Sequence, residues 1–373
     1  MEKKKNDFIA QGSILAIASI LVRVMGMIYR IPMTAIIGDK GNGFYSYAYS
    51  VYTILLLLSS YSLPLAVSKM VSAKAQLGQW RNVKRVFICA IAFAIGIGTT
   101  FGLIVLIGAQ FFTRVFFHSE LAAIALRFMA PTILIMALLG VFRGFFQGLQ
   151  NTLPTAVSQI VEGLINAIMS VVFAYFLFDF GHGMDAAGGT TDLGYAWGAA
   201  GGAIGTGAGA LAGLIFCFIL FVAYRKILAV NISRDKTGTQ QEYGDIFRLM
   251  LSIALPVILS TALYNLIELV DGSLFNNIMA SKGMEDVKDS MWGAYNAKAL
   301  LLVHIPVSIS SAMAVSLVPT LTAAYALGDE QTAKSKVHAI LRFISILAFP
   351  SAVGLLVLAN PIIKTLFSGD TSA

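Results

Sequence analysis

The 373-residue chain is 57% hydrophobic and only 12% charged, with a mean hydropathy of +0.79, about half the charge that a soluble globular domain carries. This composition excludes a soluble domain, and the net charge of +7 reads as membrane topology and attraction to anionic headgroups, not to nucleic acid. Cys89 and Cys217 both lie within apolar runs, as small core residues do, and they suggest neither a disulfide nor a redox pair.

Apolar runs set against polar breaks predict nine membrane-spanning helices, near residues 8–37, 44–75, 86–112, 121–147, 154–180, 196–226, 245–280, 292–325 and 337–360. Nearly all reach the roughly 20 residues needed to cross a bilayer, and the longer ones tilt or project from it. The breaks are rich in Gly, Asp and Asn, as in Gly38–Gly43 and the glycine-rich stretch Gly181–Gly194. The basic start Met1–Lys5 resembles that of a signal peptide. The run after it is too long and has no small-residue cleavage site, so it reads as a retained first span. With the N-terminus in the cytoplasm, 17 Lys and Arg fall on the inner side and 5 on the outer. That asymmetry is the one expected of a multi-pass membrane protein with its N-terminus inside.

Arg23 and Arg30 interrupt the first helix. They are seven residues apart, which returns the side chain to the same face within about 20°. An arginine at mid-membrane costs roughly 2.5–3.5 kcal/mol, so the pair predicts a solvated cavity, neutralising acids on a facing helix, or both. Glu162, deep in the fifth helix, is either a hydrogen-bonding partner of neighbouring helices or a proton site. In the sixth helix, Gly201, Gly205, Gly209 and Gly213 recur every four residues, a ladder that admits a close neighbour. Glu268 and Asp271 share a face of the seventh helix with Thr261 and Asn265, and are candidate partners for the first-helix arginines. Lys298, early in the eighth, either snorkels to the outer interface or enters a cavity. His118, His182, His304 and His338 lack metal-ligand spacing, and no phosphate loop, nucleophile elbow or H-E-x-x-H motif occurs. The expectation is a non-enzyme with no metal site or cofactor, coupled if at all to sodium or protons.

Short matches recur along the chain. Gly43-Phe44-Tyr45 corresponds to Gly293-Ala294-Tyr295, Ala66-Val67-Ser68 to Ala314-Val315-Ser316, and Leu77-Gly78 to Leu327-Gly328, at offsets of 250 or 248. Both copies start on the inner side, so the repeat is parallel, about an axis along the membrane normal. The fold class predicted is an all-α polytopic membrane protein of two six-helix lobes. The first lobe is placed at 1–226, a cytoplasmic linker at 227–244, and a partial second lobe at 245–373, with only three of its six helices, as in a fragment or truncated product.

The run from Arg143 to Glu162, RGFFQGLQNTLPTAVSQIVE, resembles the stage V sporulation protein B group of polysaccharide and lipid flippases. That group belongs to the multidrug/oligosaccharidyl-lipid/polysaccharide (MOP) exporter superfamily, with the MurJ lipid II flippases as relatives. Arg23-Val24-Met25-Gly26 and Ile31-Pro32 in the first helix carry the same resemblance. It implies fourteen helices, two lobes around a V-shaped cavity, and a lipid-tail groove formed by two last helices. It further implies that Arg23 and Lys298 occupy positions of basic cavity residues that bind the substrate diphosphate, with Arg30 one position from another. No basic counterpart to their second-helix arginine occurs between Tyr45 and Leu63.

The function expected is export of an undecaprenyl-diphosphate-linked cell-wall or polysaccharide precursor, such as lipid II, by alternating access. Arg23, Arg30 and Lys298 would hold the diphosphate, and Glu268, Asp271 and Glu162 would couple or gate. The expected partners are the lipid-linked anionic saccharide, membrane lipids and cell-wall synthesis proteins. A cation-coupled multidrug antiporter and a non-transporting scaffold for wall synthesis are the alternatives.

Overall fold

The structure, a computed structural model, describes residues 2–188, 192–310 and 329–367. Every regular element among them is helical. The order is α1 (Glu2–Leu56), a π-helical turn (Leu57–Tyr61), α2 (Leu63–Gln76), α3 (Trp80–Phe117), α4 (Ala122–Gly148), α5 (Leu153–Gly188), α6 (Leu193–Ser233), α7 (Tyr243–Ser281), α8 (Glu285–Ala294), a second π-helical turn (Tyr295–Ala299) and α9 (Glu330–Leu366). Seven stretches among the described residues are long and apolar enough to cross a membrane. The chain is an all-α multi-pass membrane protein.

Several helices outrun their predicted ends. α5 continues through the glycine-rich stretch to Gly188, α6 passes residue 226 to reach Ser233, and α8 begins at Glu285 instead of 292. Each added residue of a nucleated helix satisfies its own backbone groups, so polarity marks where a helix leaves lipid and not where it stops. The later part of the predicted 292–325 span, with the repeat matches at 314–316 and 327–328, lies outside the described residues.

The first predicted break is a corner of one residue. Ala18–Gln76 is a 59-residue stretch, about 88 Å if straight, far more than a bilayer. Gly38 divides it, with φ 62° and ψ −177°, a conformation that glycine alone adopts readily. Met33 and Tyr45, on either side, both reach Gly202 of α6, so the two arms run side by side. Asn42 Nδ2 donates to the Gly38 carbonyl at 2.8 Å and caps an acceptor removed from the helical ladder. On the return arm Pro64 supplies no N–H and crowds the carbonyl four residues earlier. The helix widens there into the turn Leu57–Tyr61.

The glycine ladder seats α6 directly on the α5 backbone. A Cβ added at Gly201 would collide with the Phe173 carbonyl, one at Gly205 with the backbone of Ser170, and one at Gly209 would stand 2.6 Å from the Glu162 carbonyl oxygen. These obstacles are main chain and cannot rotate away. Gly205→Ala is therefore expected to destabilise the bundle by about 3 kcal/mol, the upper end for overpacking, read as a lower thermal midpoint in detergent. An unchanged midpoint would mean that α5 and α6 are not in contact there.

Two apolar cores result. The one at the Gly38 end gathers Ile37, Phe44 and Tyr47 of α1 with Phe117 of α3 and Leu126, Met129 and Ile133 of α4. The other, at the opposite end, gathers Leu63 and Val67 of α2, Val83 and Ala90 of α3, and Phe145 of α4. α7 enters both, through Leu269 in the first and through Ile246 and Met250 in the second. Cys89 and Cys217 are free and buried in the second.

The segment after α6 is tied to α3. Arg81 N–H donates to Asp235 Oδ2 at 2.9 Å, Asn82 Nδ2 to the Thr239 carbonyl at 3.1 Å, and Gln241 N–H to Asn82 Oδ1 at 3.0 Å. The Arg81 backbone N–H, then the Thr237 hydroxyl and N–H, hold the Asp235 carboxyl down at about 2. A folded-state value below the ordinary carboxylate range means the tie is complete at neutral pH and is lost as pH falls from about 4 through 2. Limited proteolysis at residues 234–242 should show that acid sensitivity, and Asp235→Asn should loosen the segment already at pH 7.

Candidate functional site

α1 and α8 cross almost without separation at the Gly38 end. Gly43 lies against the Asp289 carbonyl, and Gly293 lies against the Asp39 carbonyl, its added Cβ only 2.6 Å from Gly43 N. The crossing is reciprocal: each glycine follows an aspartate of its own helix by four residues, and the two Asp-Gly sets are 250 apart. Tyr47 stacks on Phe117 at 4.6 Å and faces Trp292 at 6.3 Å, while its hydroxyl donates to Asn276 Oδ1 at 2.9 Å. Lys288 Nζ donates to the Phe117 and His118 carbonyls at 3.1 and 2.8 Å, capping α3, and Lys40 pairs with Asp192 at 2.7 Å.

Lys298 is buried at this crossing. Its Nζ donates to Asp39 Oδ2 at 2.6 Å, with side chains 3% and 8% exposed. It rides on the π turn Tyr295–Ala299, where the widened backbone re-aims side chains. Neither snorkelling nor a free place in a cavity describes it: a desolvated ammonium needs a carboxylate, and Asp39 supplies one. In this conformation the Lys298 charge, expected to meet the diphosphate, is engaged by Asp39. Asp39 escaped the sequence analysis, although the offset of 250 that aligns Gly43 with Gly293 also aligns Asp39 with Asp289.

Two cavities adjoin the crossing. One, of about 220 Å³, is lined by Arg30, Met33, Asn42, Tyr45, Ser46 and Tyr49 of α1, Glu268 of α7, and Asn296, Ala297, Leu300 and His304 beyond α8. The other, of about 790 Å³, holds Asn265, Glu268, Asp271 and Phe275 of α7 with Trp292, Tyr295, Asn296 and His304. Glu268 and His304 belong to both walls. Ser50 Oγ lies 3.4 Å from Glu268 Oε1. Arg30 and Glu268 thus face one space from different helices, and Asp271 opens only to the larger, acidic and aromatic one. His304, set aside in sequence for want of metal spacing, belongs here with these charges.

The other two candidates stand apart. Arg23 is exposed on the first arm of α1, where its neighbours Val22 and Met25 pack on Gly163 of α5, and it lines neither cavity. Glu162 accepts from Arg143 NH2 at 2.6 Å, and Arg143 Nε donates to Ser158 Oγ at 2.8 Å. Arg143, the first residue of the run that carries the family resemblance, thus reaches across from α4 to α5. Of the two roles expected of Glu162, the contact is that of a hydrogen-bonding partner, one end of a brace between α4 and α5. With side chains 11% and 24% exposed, the pair is partly screened. Arg143→Met should cost about 2 kcal/mol by stranding the carboxylate, and adding Glu162→Gln should restore most of it. A double-mutant cycle on thermal midpoints measures the coupling.

The chain resembles known proteins in sequence and in fold. Residues 8–324 match the family described as polysaccharide biosynthesis protein. The lipid II flippase MurJ of Bacillus subtilis (strain 168) is 26% identical over 370 residues, 96% of this chain and 65% of that protein. The stage V sporulation protein B of the same organism is 24% identical over 374 residues, 99% and 68%. The chain thus spans about two thirds of the length of these relatives. Among solved structures, an inward-facing multidrug resistance MATE family transporter of the MOP superfamily superposes with a TM-score of 0.70 at 14% identity, covering 96% of this chain and 77% of that one. An outward-facing MATE structure of the same superfamily gives 0.61 at 14% identity, covering 98% and 75%. With its helices arranged as in MOP transporters and 8–324 matched throughout, the chain belongs to the polysaccharide biosynthesis protein family.

Proposed function

We propose that this protein is a flippase that moves a lipid-linked anionic saccharide precursor, lipid II or a chemically similar undecaprenyl diphosphate, from the inner to the outer leaflet. In this reading the N-terminus and the 234–242 segment are cytoplasmic, and the Gly38 end faces outward. The observation that carries it is Arg30, held among Tyr45, Tyr49, Asn42 and Asn296 in a cavity shared by α1, α7 and residues 296–304 beyond α8. The similarity to the lipid II flippase MurJ supports the substrate class. A diphosphate cannot enter hydrocarbon bare, and an arginine fork in a wet cavity replaces its hydration with paired hydrogen bonds. Arg23 would meet the headgroup earlier, from its exposed position on the inner half of α1. Glu268 and Asp271, beside the Arg30 cavity, would take up a sodium ion or proton as the coupling charge, worth about 2.3 kcal/mol per 100 mV.

The larger cavity favours one second reading. Its Glu268 and Asp271 beside Trp292 and Tyr295 suit an aromatic cation, as in a cation-coupled antiporter. Reconstitution of the chain in vesicles separates the two. With fluorescent lipid II in the inner leaflet, the flippase reading expects its appearance in the outer leaflet under an imposed sodium or proton gradient. Immobile lipid II together with extrusion of a cationic dye would replace this reading with the antiporter.

A further inference from the structure

Two buried carboxylates at the α1–α8 crossing, Asp39 and Asp289, are used by none of the preceding roles, and each has an Oδ1 without a hydrogen-bond partner. Asp39 is the one paired with Lys298, which its Oδ2 takes at 2.6 Å. A carboxylate half satisfied in this way is a poor device for stability. It is also asymmetric. The crossing is otherwise reciprocal, Asp39 with Gly43 against Asp289 with Gly293, but 250 residues before Lys298 stands Ala48. Only one of the two aspartates therefore meets a lysine from the opposite helix at the matched position.

The Arg30 cavity reaches both members of the pair through the chain. Asn42, one turn beyond Asp39, and Ala297, next to Lys298, both line it. A lysine carries its charge on a flexible four-carbon stem, and Lys298, whose neighbour Ala297 lines the cavity, is placed for an anion beside Arg30 to compete for it. We infer that Asp39 is an internal anion which holds the outer end shut by occupying Lys298, and that the anionic group of the cargo opens that end by drawing the lysine into the Arg30 cavity. Closure and cargo binding then exclude one another, and an empty carrier stays closed to the outside. This inference rests on the proposed anionic cargo, but the latch and the cargo are tested separately.

The experiment uses the whole chain in lipid nanodiscs, with inorganic pyrophosphate as the probe. Spin labels at Glu120→Cys and Lys282→Cys, both exposed outside the crossing, report the outer separation, and calorimetry reports affinity. In the parent chain, pyrophosphate should convert the short distance to a longer one. Asp39→Asn should be open without it and bind it about tenfold tighter, because the competitor is gone. Lys298→Gln should also be open but bind pyrophosphate about tenfold more weakly. A purely structural ion pair would move both variants in the same direction, and that result overturns the inference. The exchange Asp39→Lys with Lys298→Asp guards against misfolding: it should close again yet no longer respond to pyrophosphate, and a retained response overturns the inference. Opening in Asp39→Asn with no pyrophosphate binding by the parent chain also overturns release by cargo, while leaving the pair as a simple clasp. Loss of lipid II movement with all these outcomes intact would instead remove the proposed cargo.

Discussion

Gly293→Ala is expected to leave the protein folded and inserted but unable to close its Gly38 end. The added methyl would overlap the Asp39 carbonyl and stand 2.6 Å from Gly43 N, so the obstacles are backbone and no rotamer relieves them. Overpacking of this kind costs about 1–3 kcal/mol, which shifts a two-state equilibrium by about five- to 150-fold. Within the α5–α6 ladder the same strain has no outlet and lowers stability. At the α1–α8 crossing the helices can part, and the strain becomes a change of conformation. The spin-label distance across the crossing should lengthen, transport should fall to background, and the thermal midpoint should change little. Normal transport by Gly293→Ala would show that the tight crossing is not a step of the cycle.

Arg30→Gln should have the second large effect, on cargo binding and not on folding. A lost charge-assisted contact is worth about 1.5–3 kcal/mol, or roughly ten- to a hundredfold in affinity. Arg30→Lys should recover only part of it, since a lysine keeps the charge but loses the planar fork. The loss should also expose Glu268, which faces the same cavity, and turn the site towards cations. Pyrophosphate calorimetry and lipid II movement measure the first effect, and dye binding the second. Parent-like affinity in Arg30→Gln would displace the anion site from this cavity.

Composition and spacing were enough to determine the membrane class, the helical fold and the order of most spans. The hydrocarbon imposes one rule on every backbone group, and it acts within about twenty residues of chain. The glycine ladder of α6 was legible for the same local reason, since residues four apart share a helix face. So was the common face of Glu268 and Asp271, which both line the larger cavity. What each charge touches was not legible. Lys298 meets Asp39 across 259 residues, and Arg143 meets Glu162 across 19, pairings decided by how whole helices cross. Arg23 and Arg30 share a periodicity but not a cavity, because the neighbours along α1 change within two turns. The reversal at Gly38 needed a φ of 62°, which a glycine permits and does not announce. Helix periodicity places a side chain on a face, and only the packing of distant helices decides whether that face meets lipid, water or an opposite charge.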